Sequence, residues 1–444
     1  MKNIQRLYAA VLLSLLALWL FADPLLAQPY SFFGLRGSLV QGTGIVALGV
    51  MSVGMMLALR PVRIEPLLGG LDKTYRLHKW LGITALVVAV LHWLWAKAPK
   101  WLVGWGLLER PARQPRPEPA SELLRWMQAQ RHLAESLGEW AFYAAVILIG
   151  LALVKRFPYR YFYQTHRLMA VVYLVLVFHG LILLDAGFWR SPLGPVMALL
   201  MAGGTVAACV SLLRRVGLRR QAVGEVAQLV RHTDNQVLQV AIQLKDRWAG
   251  HEAGQFAFVT FDDAEGAHPF TISSSWRGDG RLVFLIKGLG DYTSKLPDTV
   301  KVGDVVKVEG PYGRFKFECS HPRQIWVAGG IGVTPFIARL LALADAPALR
   351  TKTIDLFYST SAPDENFLAK LRQAAAAAQV RLHILISPRD GRLDAERICQ
   401  TVPDWHNASI WFCGPAGFGA ALRSGFTARG LAPEDFHQEL FELR

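Results

Sequence analysis

Cysteine is scarce in this sequence: 444 residues hold four, Cys209, Cys319, Cys399 and Cys413. No two of them form a CxxC pair or an iron–sulfur spacing, which argues against thiol-held metal and against a disulfide framework. Acidic residues are also short, 34 against 48 Lys and Arg, leaving a formal net charge of +14. That balance can mark a nucleic-acid binder, but here the basic residues cluster beside apolar helices and not along one soluble face. No nucleic-acid partner is therefore expected. Beyond about residue 213 the chain lacks long apolar runs and reads as soluble α/β sequence, with alternating strands, helices and glycine turns.

The apolar content, 52% overall, is concentrated before that point. Six segments reach the roughly 20 residues needed to cross a hydrocarbon core about 30 Å thick. They are Leu7 to Leu26, Val40 to Leu59, Leu77 to Trp95, Leu137 to Val154, His166 to Asp185 and Pro195 to Leu213. The first resembles a signal peptide, with Lys2 and Arg6 ahead of it and Leu25-Leu26-Ala27 at its end, but retention as a span is the favoured reading. Six spans return both ends to one side. Lys2, Arg6, Arg60, Arg63, Lys73, Arg76, Lys79, Lys155, Arg156, Arg160, Arg214, Arg215, Arg219 and Arg220 mark that side as cytoplasmic. The basic, proline-rich stretch from Lys97 to Glu135 falls on the outside in this topology and is its weakest point, although long loops obey the charge rule poorly. A multi-pass protein of a lipid membrane is expected, a bacterial inner membrane by preference, with its soluble half in the cytoplasm.

Histidine inside hydrocarbon is costly and marks a functional candidate. His78 and His92 lie fourteen residues apart on the third span, and His166 and His179 lie thirteen apart on the fifth. Fourteen residues of helix give about 21 Å and return the side chain to nearly the same face. Thirteen give about 19.5 Å but leave the second ring about 140° out of phase, so tilt, ring reach or a local π-turn must correct it. Two facing helices with such pairs can clamp two stacked haems, His78 with His166 on the inner side and His92 with His179 on the outer. The competing reading is four unrelated histidines that hydrogen-bond between helices. Trp80, Trp93, Trp95 and Phe178 suit a haem-lined interior or an interfacial belt. Arg60, Arg76, Lys79 and Arg167 suit propionates or the charge rule.

In the soluble half, Val223 to Val230 and Val237 to Leu244 alternate as barrel strands. A strand through Phe256, Phe258 and Phe261 precedes the string His268-Pro269-Phe270-Thr271-Ile272-Ser273-Ser274. Here the chain resembles the ferric reductase and NADPH oxidase superfamily, whose soluble half looks like ferredoxin–NADP reductase, and the resemblance covers nearly the whole length. It implies that His268, Pro269, Phe270 and Thr271 form the FAD pocket, with Ser273 and Ser274 closing the motif. Thr271 and Ser273 bring hydroxyls to it. Gly288-Leu289-Gly290-Asp291-Tyr292-Thr293 resembles the family's pyrophosphate turn, with free N–H groups at the glycines and the Thr293 hydroxyl for an anion. Gly310-Pro311-Tyr312-Gly313 resembles the turn that closes the barrel.

Ile325 to Ala328 reads as a strand entering Gly329-Gly330-Ile331-Gly332-Val333-Thr334-Pro335, after which a helix begins. This is the context in which backbone N–H groups and a helix start meet a diphosphate. The full string is specific to the reductase resemblance, and Cys413-Gly414-Pro415 accompanies it. By that resemblance Cys413 borders the hydride path, and Phe441 packs on the flavin and gates the nicotinamide. The strand Ile354 to Tyr358 ends in Ser359, Thr360 and Ser361 without an acidic residue, which favours NADPH over NADH.

The expected architecture is a six-span α-helical haem domain (1–216), an antiparallel β-barrel FAD domain (217–320) and a parallel-sheet α/β NAD(P)-binding domain (321–444). The implied activity is electron transfer from NAD(P)H through FAD and two b-type haems to an acceptor across the membrane. Ferric chelates lead as acceptor; oxygen reduced to superoxide and a periplasmic partner protein are the alternatives. A basic loop around Arg110, Arg113 and Arg116 suits an anionic chelate or an acidic partner, or is a solvated loop.

Overall fold

The computed structural model describes residues 2–23, 31–109, 121–154 and 156–439. Leu25-Leu26-Ala27, Arg110, Arg113, Arg116, Lys155 and Phe441 lie outside the described residues. The chain divides into two compact units, one drawn from residues 1–68 and 73–216, the other from 69–72 and 217–443.

The first unit is helical: α1 (Lys2–Ala22), α2 (Phe32–Ala58), a short α3 (Glu65–Leu68), α4 (Leu71–Gly104), α5 (Glu122–Leu153), α6 (Tyr159–Arg167), α7 (Met169–Leu183) and α8 (Leu193–Leu212). Six stretches among the described residues are long and apolar enough to cross a membrane, α6 and α7 together forming the fifth. With 34 and 32 residues, α4 and α5 each run close to 50 Å and so outreach a core of about 30 Å. Ser31 and Ser121 start α2 and α5 by accepting the N–H groups of Gly34 and Leu124. Without a hydrophobic drive between helices, close packing needs small residues. Accordingly Trp19 of α1 lies over Gly42 of α2, where a Cβ would fall 2.4 Å from the indole.

The fifth span is not one rod. It is interrupted at Leu168, whose N–H donates to Thr165 O at 3.0 Å and whose carbonyl accepts from Val171 N–H at 3.0 Å. These i→i−3 bonds tighten the winding, the opposite sense from a π-turn, and they fall between the two histidines whose phase needed correcting.

The second unit holds two sheets. Strands β1 (Gln221–His232), β2 (Val237–Leu244), β3 (Phe256–Thr260), β4 (His268–Thr271), β5 (Arg281–Lys287) and β6 (Val305–Tyr312), with a short α9 (Leu296–Thr299) before β6, pair antiparallel in the order β4-β3-β6-β1-β2-β5. A bridge between Ile272 and Phe284 joins the two edges and closes the barrel. The period-2 pattern sorts side chains: Leu238, Val240, Ile242 and Leu244 fill the barrel core, whereas Val237 packs with the core of the second sheet.

That sheet comprises β7 (Arg323–Gly329), β8 (Thr353–Thr360), β9 (Arg381–Ile386), β10 (Ala408–Cys413) and β11 (Phe436–Gln438), all parallel, in the order β11-β10-β7-β8-β9. Between them run α10 (Thr334–Asp345), α11 (Glu365–Ala377), α12 (Ser387–Asp390), α13 (Ala395–Thr401) and α14 (Ala416–Thr427). Apolar cores lie on both faces, one including Phe336 and Leu368, the other Ile398 and Leu422, which explains why β7 and β10 are apolar almost throughout. The chain goes from β7 outward through β8 and β9, then returns to place β10 on the other flank. The C-terminal ends of β7 and β10 thus form the switch point at which open α/β sheets take ligands.

Candidate functional site

In the helical unit the histidines stand in two pairs. The ring centroids of His78 and His166 are 6.0 Å apart, and those of His92 and His179 are 6.3 Å apart. Two imidazoles bound on opposite sides of one metal ion at about 2 Å each would keep their rings roughly 6 Å apart, so each pair is spaced to hold one metal ion between its rings. Their outer nitrogens are already engaged: His78 Nδ1 lies 3.0 Å from Gly54 O, His92 Nδ1 3.0 Å from Val40 O, and His179 Nδ1 2.8 Å from Ala134 O. A carbonyl can only accept, so each Nδ1 carries the proton and each Nε2 keeps its lone pair for a metal. His179 crowds the backbone of α5 so closely that a Cβ on Gly138 would fall 2.0 Å from Nδ1. Among the described residues no three His, Cys, Asp or Glu side chains converge on one point. Each pair would therefore suit a metal that brings its remaining donors with it, and His78 with His166 and His92 with His179 would hold such a group, as histidines hold haem iron.

Sequence reasoning did not identify these carbonyls, because every residue carries one. Nor did it identify the cavity around the second pair. That cavity, about 720 Å³, is lined by His92, His179, Gly138 and apolar side chains of α2, α4, α5, α7 and α8, and is of a size that holds cofactor-sized ligands. Its wall also includes Arg36, Lys97, Lys100 and Arg131 against Glu135 and Glu139. Lys97 Nζ pairs with Glu139 Oε1 at 2.6 Å, Arg131 with Glu135 at 3.0 Å, and Arg36 donates to Trp95 O and Ala96 O. Trp93 stacks on Phe142 in the same wall, while Trp80 packs edge-on against Tyr8 of α1. Arg60 donates to Tyr75 Oη and Arg167 to Leu212 O. The latter bond places His166 at the end of the bundle where the chain leaves α8.

In the barrel, β4 presents His268, Pro269, Phe270 and Thr271 opposite β3. The His268 ring stacks on Tyr292 with centroids 4.4 Å apart and on Phe270 at 6.4 Å. Burial pushes the His268 imidazole down to about 4, so it is neutral near pH 7. Among the described residues the buried Thr271 and Tyr292 hydroxyls meet no hydrogen-bond partner, a costly arrangement unless a ligand with polar edges completes it, and a flavin ring has such edges. Tyr292 belongs to the turn read from sequence but was not singled out there. Ser274 Oγ accepts the Val283 N–H and Ser273 Oγ donates to Thr271 O, so both serine hydroxyls brace the strand ends.

The Gly288–Thr293 turn differs from expectation. The Gly288 N–H donates to Gln236 O, and Thr293 Oγ1 accepts the N–H groups of both Leu289 and Gly290. These donors are used inside the protein, because the hydroxyl three to four residues on is in reach and closes the turn.

At the switch point the β7 and β10 turns interlock. A Cβ on Gly332 would fall 2.2 Å from Cys413 O, and one on Gly329 would fall 2.8 Å from Pro415. Gly332 is thus glycine for backbone contact with Cys413 and Gly414, and it is Gly330, at φ +55° with nothing within 4 Å of a Cβ, that faces open space. Thr334 donates to Ile331 O and Pro335 opens α10. Cys413 is fully buried, its Sγ 3.9 Å from Glu439 Oε2; burial and that carboxylate push its thiol up. It is therefore a neutral packing thiol and not a nucleophile.

Residues 43–177 match the model of the ferric reductase like transmembrane component, and residues 224–316 match an FAD-binding domain. The chain is 31% identical over 182 residues to an NADPH oxidoreductase of Mycobacterium tuberculosis, covering 40% of this chain and 47% of that protein. It is 28% identical over 214 residues to respiratory burst oxidase homolog protein E of Arabidopsis thaliana, covering 40% of this chain and 21% of that protein. The chain thus spans about half or less of the length of these relatives. A ferredoxin NADP+ reductase from Neisseria gonorrhoeae solved with bound FAD and NADP aligns with 50% of this chain and 98% of its own, at 16% identity and a TM-score of 0.43. Six membrane-competent stretches matching a ferric reductase like transmembrane component, followed by a match to an FAD-binding domain, give this chain the make-up of a multi-pass membrane oxidoreductase and make it similar in both parts to the ferric reductase and NADPH oxidase superfamily.

Proposed function

We propose that the chain passes electrons from NAD(P)H through FAD and two b-type haems to ferric chelates on the far side of a membrane, a bacterial inner membrane with the reductase half in the cytoplasm. The observation that carries the reading is the pair of histidine pairs, each spaced for one metal, with the Nδ1 atoms of His78, His92 and His179 held by backbone carbonyls and their Nε2 lone pairs left for a metal. Flavin supplies the step from two-electron nicotinamide to one-electron iron. The protein's own part is placement: Thr271 and Tyr292 offer hydroxyls to the flavin, neutral His268 and Tyr292 offer a stacked wall, and the open face of Gly330 offers room for a diphosphate. NADPH is favoured over NADH because β8 ends in Ser359 and Thr360 with no acidic residue to bind a ribose hydroxyl.

The acceptor is read from the cavity around His92 and His179. Four cations against two carboxylates give its wall a positive balance that favours an anionic acceptor over neutral oxygen. The test is NADPH oxidation by the detergent-solubilised protein with ferric citrate, oxygen or cytochrome c, each with and without superoxide dismutase. Ferric citrate reduction insensitive to the dismutase is expected. Dismutase-sensitive cytochrome c reduction without ferric citrate reduction would make oxygen the acceptor.

A further inference from the structure

Helix α5 keeps an apolar row exposed along one side. Leu123, Trp126, Leu133, Leu137 and Trp140 are between 37% and 71% exposed, and with Gln130 among them they fall at alternating intervals of three and four residues. That is the spacing of positions a and d in a heptad, and Ala144, Ile147, Leu151 and Val154 continue it to the end of the helix. Glu135, Glu139 and Phe142, which line the cavity around His92 and His179, lie on the opposite face. Within a bilayer such a row needs no protein cover, because lipid tails are as apolar as leucine. Trp140, beside the Lys97–Glu139 ion pair, marks the level at which α5 leaves the hydrocarbon. Leu133 and Leu123 lie seven and seventeen residues beyond Trp140, about 10 Å and about 25 Å further along the helix. In water, an apolar row of that length marks a surface that another surface covers.

Two details say what covers it. The flanking e and g positions, Met127, Ala134 and Ala141 on one side and Ala129, Ser136 and Tyr143 on the other, carry no charge, so an identical helix lying in parallel meets no like-charge pair there. The Gln130 side chain enters no hydrogen bond among the described residues. At an a position of a symmetric pair it faces its own copy, and an amide both donates and accepts.

We propose that the chain pairs with a second copy of itself along α5, the two helices forming a parallel coiled coil that begins in the membrane and runs on into the solvent beyond it. The row is self-matching: its period, its uncharged flanks and its one polar a residue are what a two-fold axis along the helix requires. Copies inserted in one membrane share an orientation, which makes the pair parallel. Both cavities stay open on the far sides of the pair, since α5 turns its other face to them.

The full chain is tested for mass by light scattering in detergent and for register by cysteine cross-linking in native membranes. The parent protein is expected to have the mass of two chains. Under a mild oxidant Gln130→Cys should give a reducible two-chain band at least about tenfold stronger than Gln128→Cys, because residue 128 points away from the axis and paired cysteines bridge only at short range. The parent chain, with its own four cysteines, should give no such band. Leu123→Glu with Leu133→Glu should reduce the mass to one chain with unchanged helix content by circular dichroism. Should that double variant fail to fold, the two cysteine variants still decide. A single-chain parent without a Gln130→Cys band overturns the pairing and leaves lipid or another protein to cover the row. Equal bands from Gln128→Cys and Gln130→Cys, or a two-chain parent in which Gln130→Cys gives none, overturn it too, the first as chance collision and the second as pairing through another face.

Discussion

The two units use glycine and buried polar atoms for different ends. In the helical unit, Gly138 leaves room for the edge of an imidazole, and the ring's outer nitrogen is tied to a carbonyl of the same helix, Ala134 O. The missing side chain there admits another side chain. In the parallel-sheet half, Gly332 leaves room for the Cys413 carbonyl, and the missing side chain lets two turns lock backbone to backbone. Membrane packing thus gains aim for a ligand, and the soluble turn gains a shape that no side chain could share. The polar atoms differ in the same way: the His78, His92 and His179 Nδ1 atoms are engaged within the fold, whereas the Thr271 and Tyr292 hydroxyls are left for something else to complete.

Losing a ligand should have the largest effect. His92→Leu under anaerobic NADPH is expected to keep fast reduction of one haem and to abolish transfer to external ferric iron, whereas His78→Leu should block rapid reduction of both haems while flavin still reduces. Loss of all haem reduction in a folded His92→Leu protein would reverse the inner and outer assignments. Next comes Gly138→Ala, whose methyl group would displace the His179 ring; the haem-to-flavin ratio, about two in the parent protein if each pair holds one haem, should fall towards one. A ratio still near two would show that the ring yields and that the close approach is not required.

In the soluble unit, Gly332→Ala should cost about 1–3 kcal/mol by overpacking against the Cys413 backbone, read as a lower melting temperature of flavin fluorescence. Gly330→Ala should instead lose only about 1–2 kcal/mol from its left-handed backbone. Equal losses with unchanged nucleotide affinity would erase the distinction between the packed and the open glycine. A smaller effect is expected from His268. Its pKa falls from the usual 6.5 in the unfolded chain to about 4 in the fold, so the unfolded state binds the extra proton between these values. Stability from this group is complete above pH 6.5 and declines as pH drops towards 4. His268→Asn should flatten that slope. Least of all, Arg277→Ala breaks an exposed bidentate pair with Asp345 and should cost under about 1 kcal/mol.

The order of strands, turns and helices in the soluble half was legible because period-2 alternation and the strings at 268–274 and 329–335 are local signals. The four histidines were legible because polar residues stand out in apolar spans. What stayed hidden was the use made of each group. Nothing in the spelling of Gly288 to Thr293 says that Thr293 consumes the Leu289 and Gly290 N–H groups, or that Gly332 meets a carbonyl contributed 81 residues later. Such facts depend on which segments the topology brings together. The thirteen-residue spacing was read correctly as a conflict, but the sequence contained no sign that Leu168 would be where the winding changes.

That interruption makes the fifth span two pieces in a mechanical sense. In a single rod, any rotation that aims one ring swings the other by the same angle. A joint at Leu168 lets the ring on α6 and the ring on α7 be set independently, so the one-residue mismatch with α4 need not cost alignment. An inserted or deleted residue on the α7 side would then disturb the partner of His92 and spare the partner of His78. Drift in one histidine pair can then accumulate without dragging the other along.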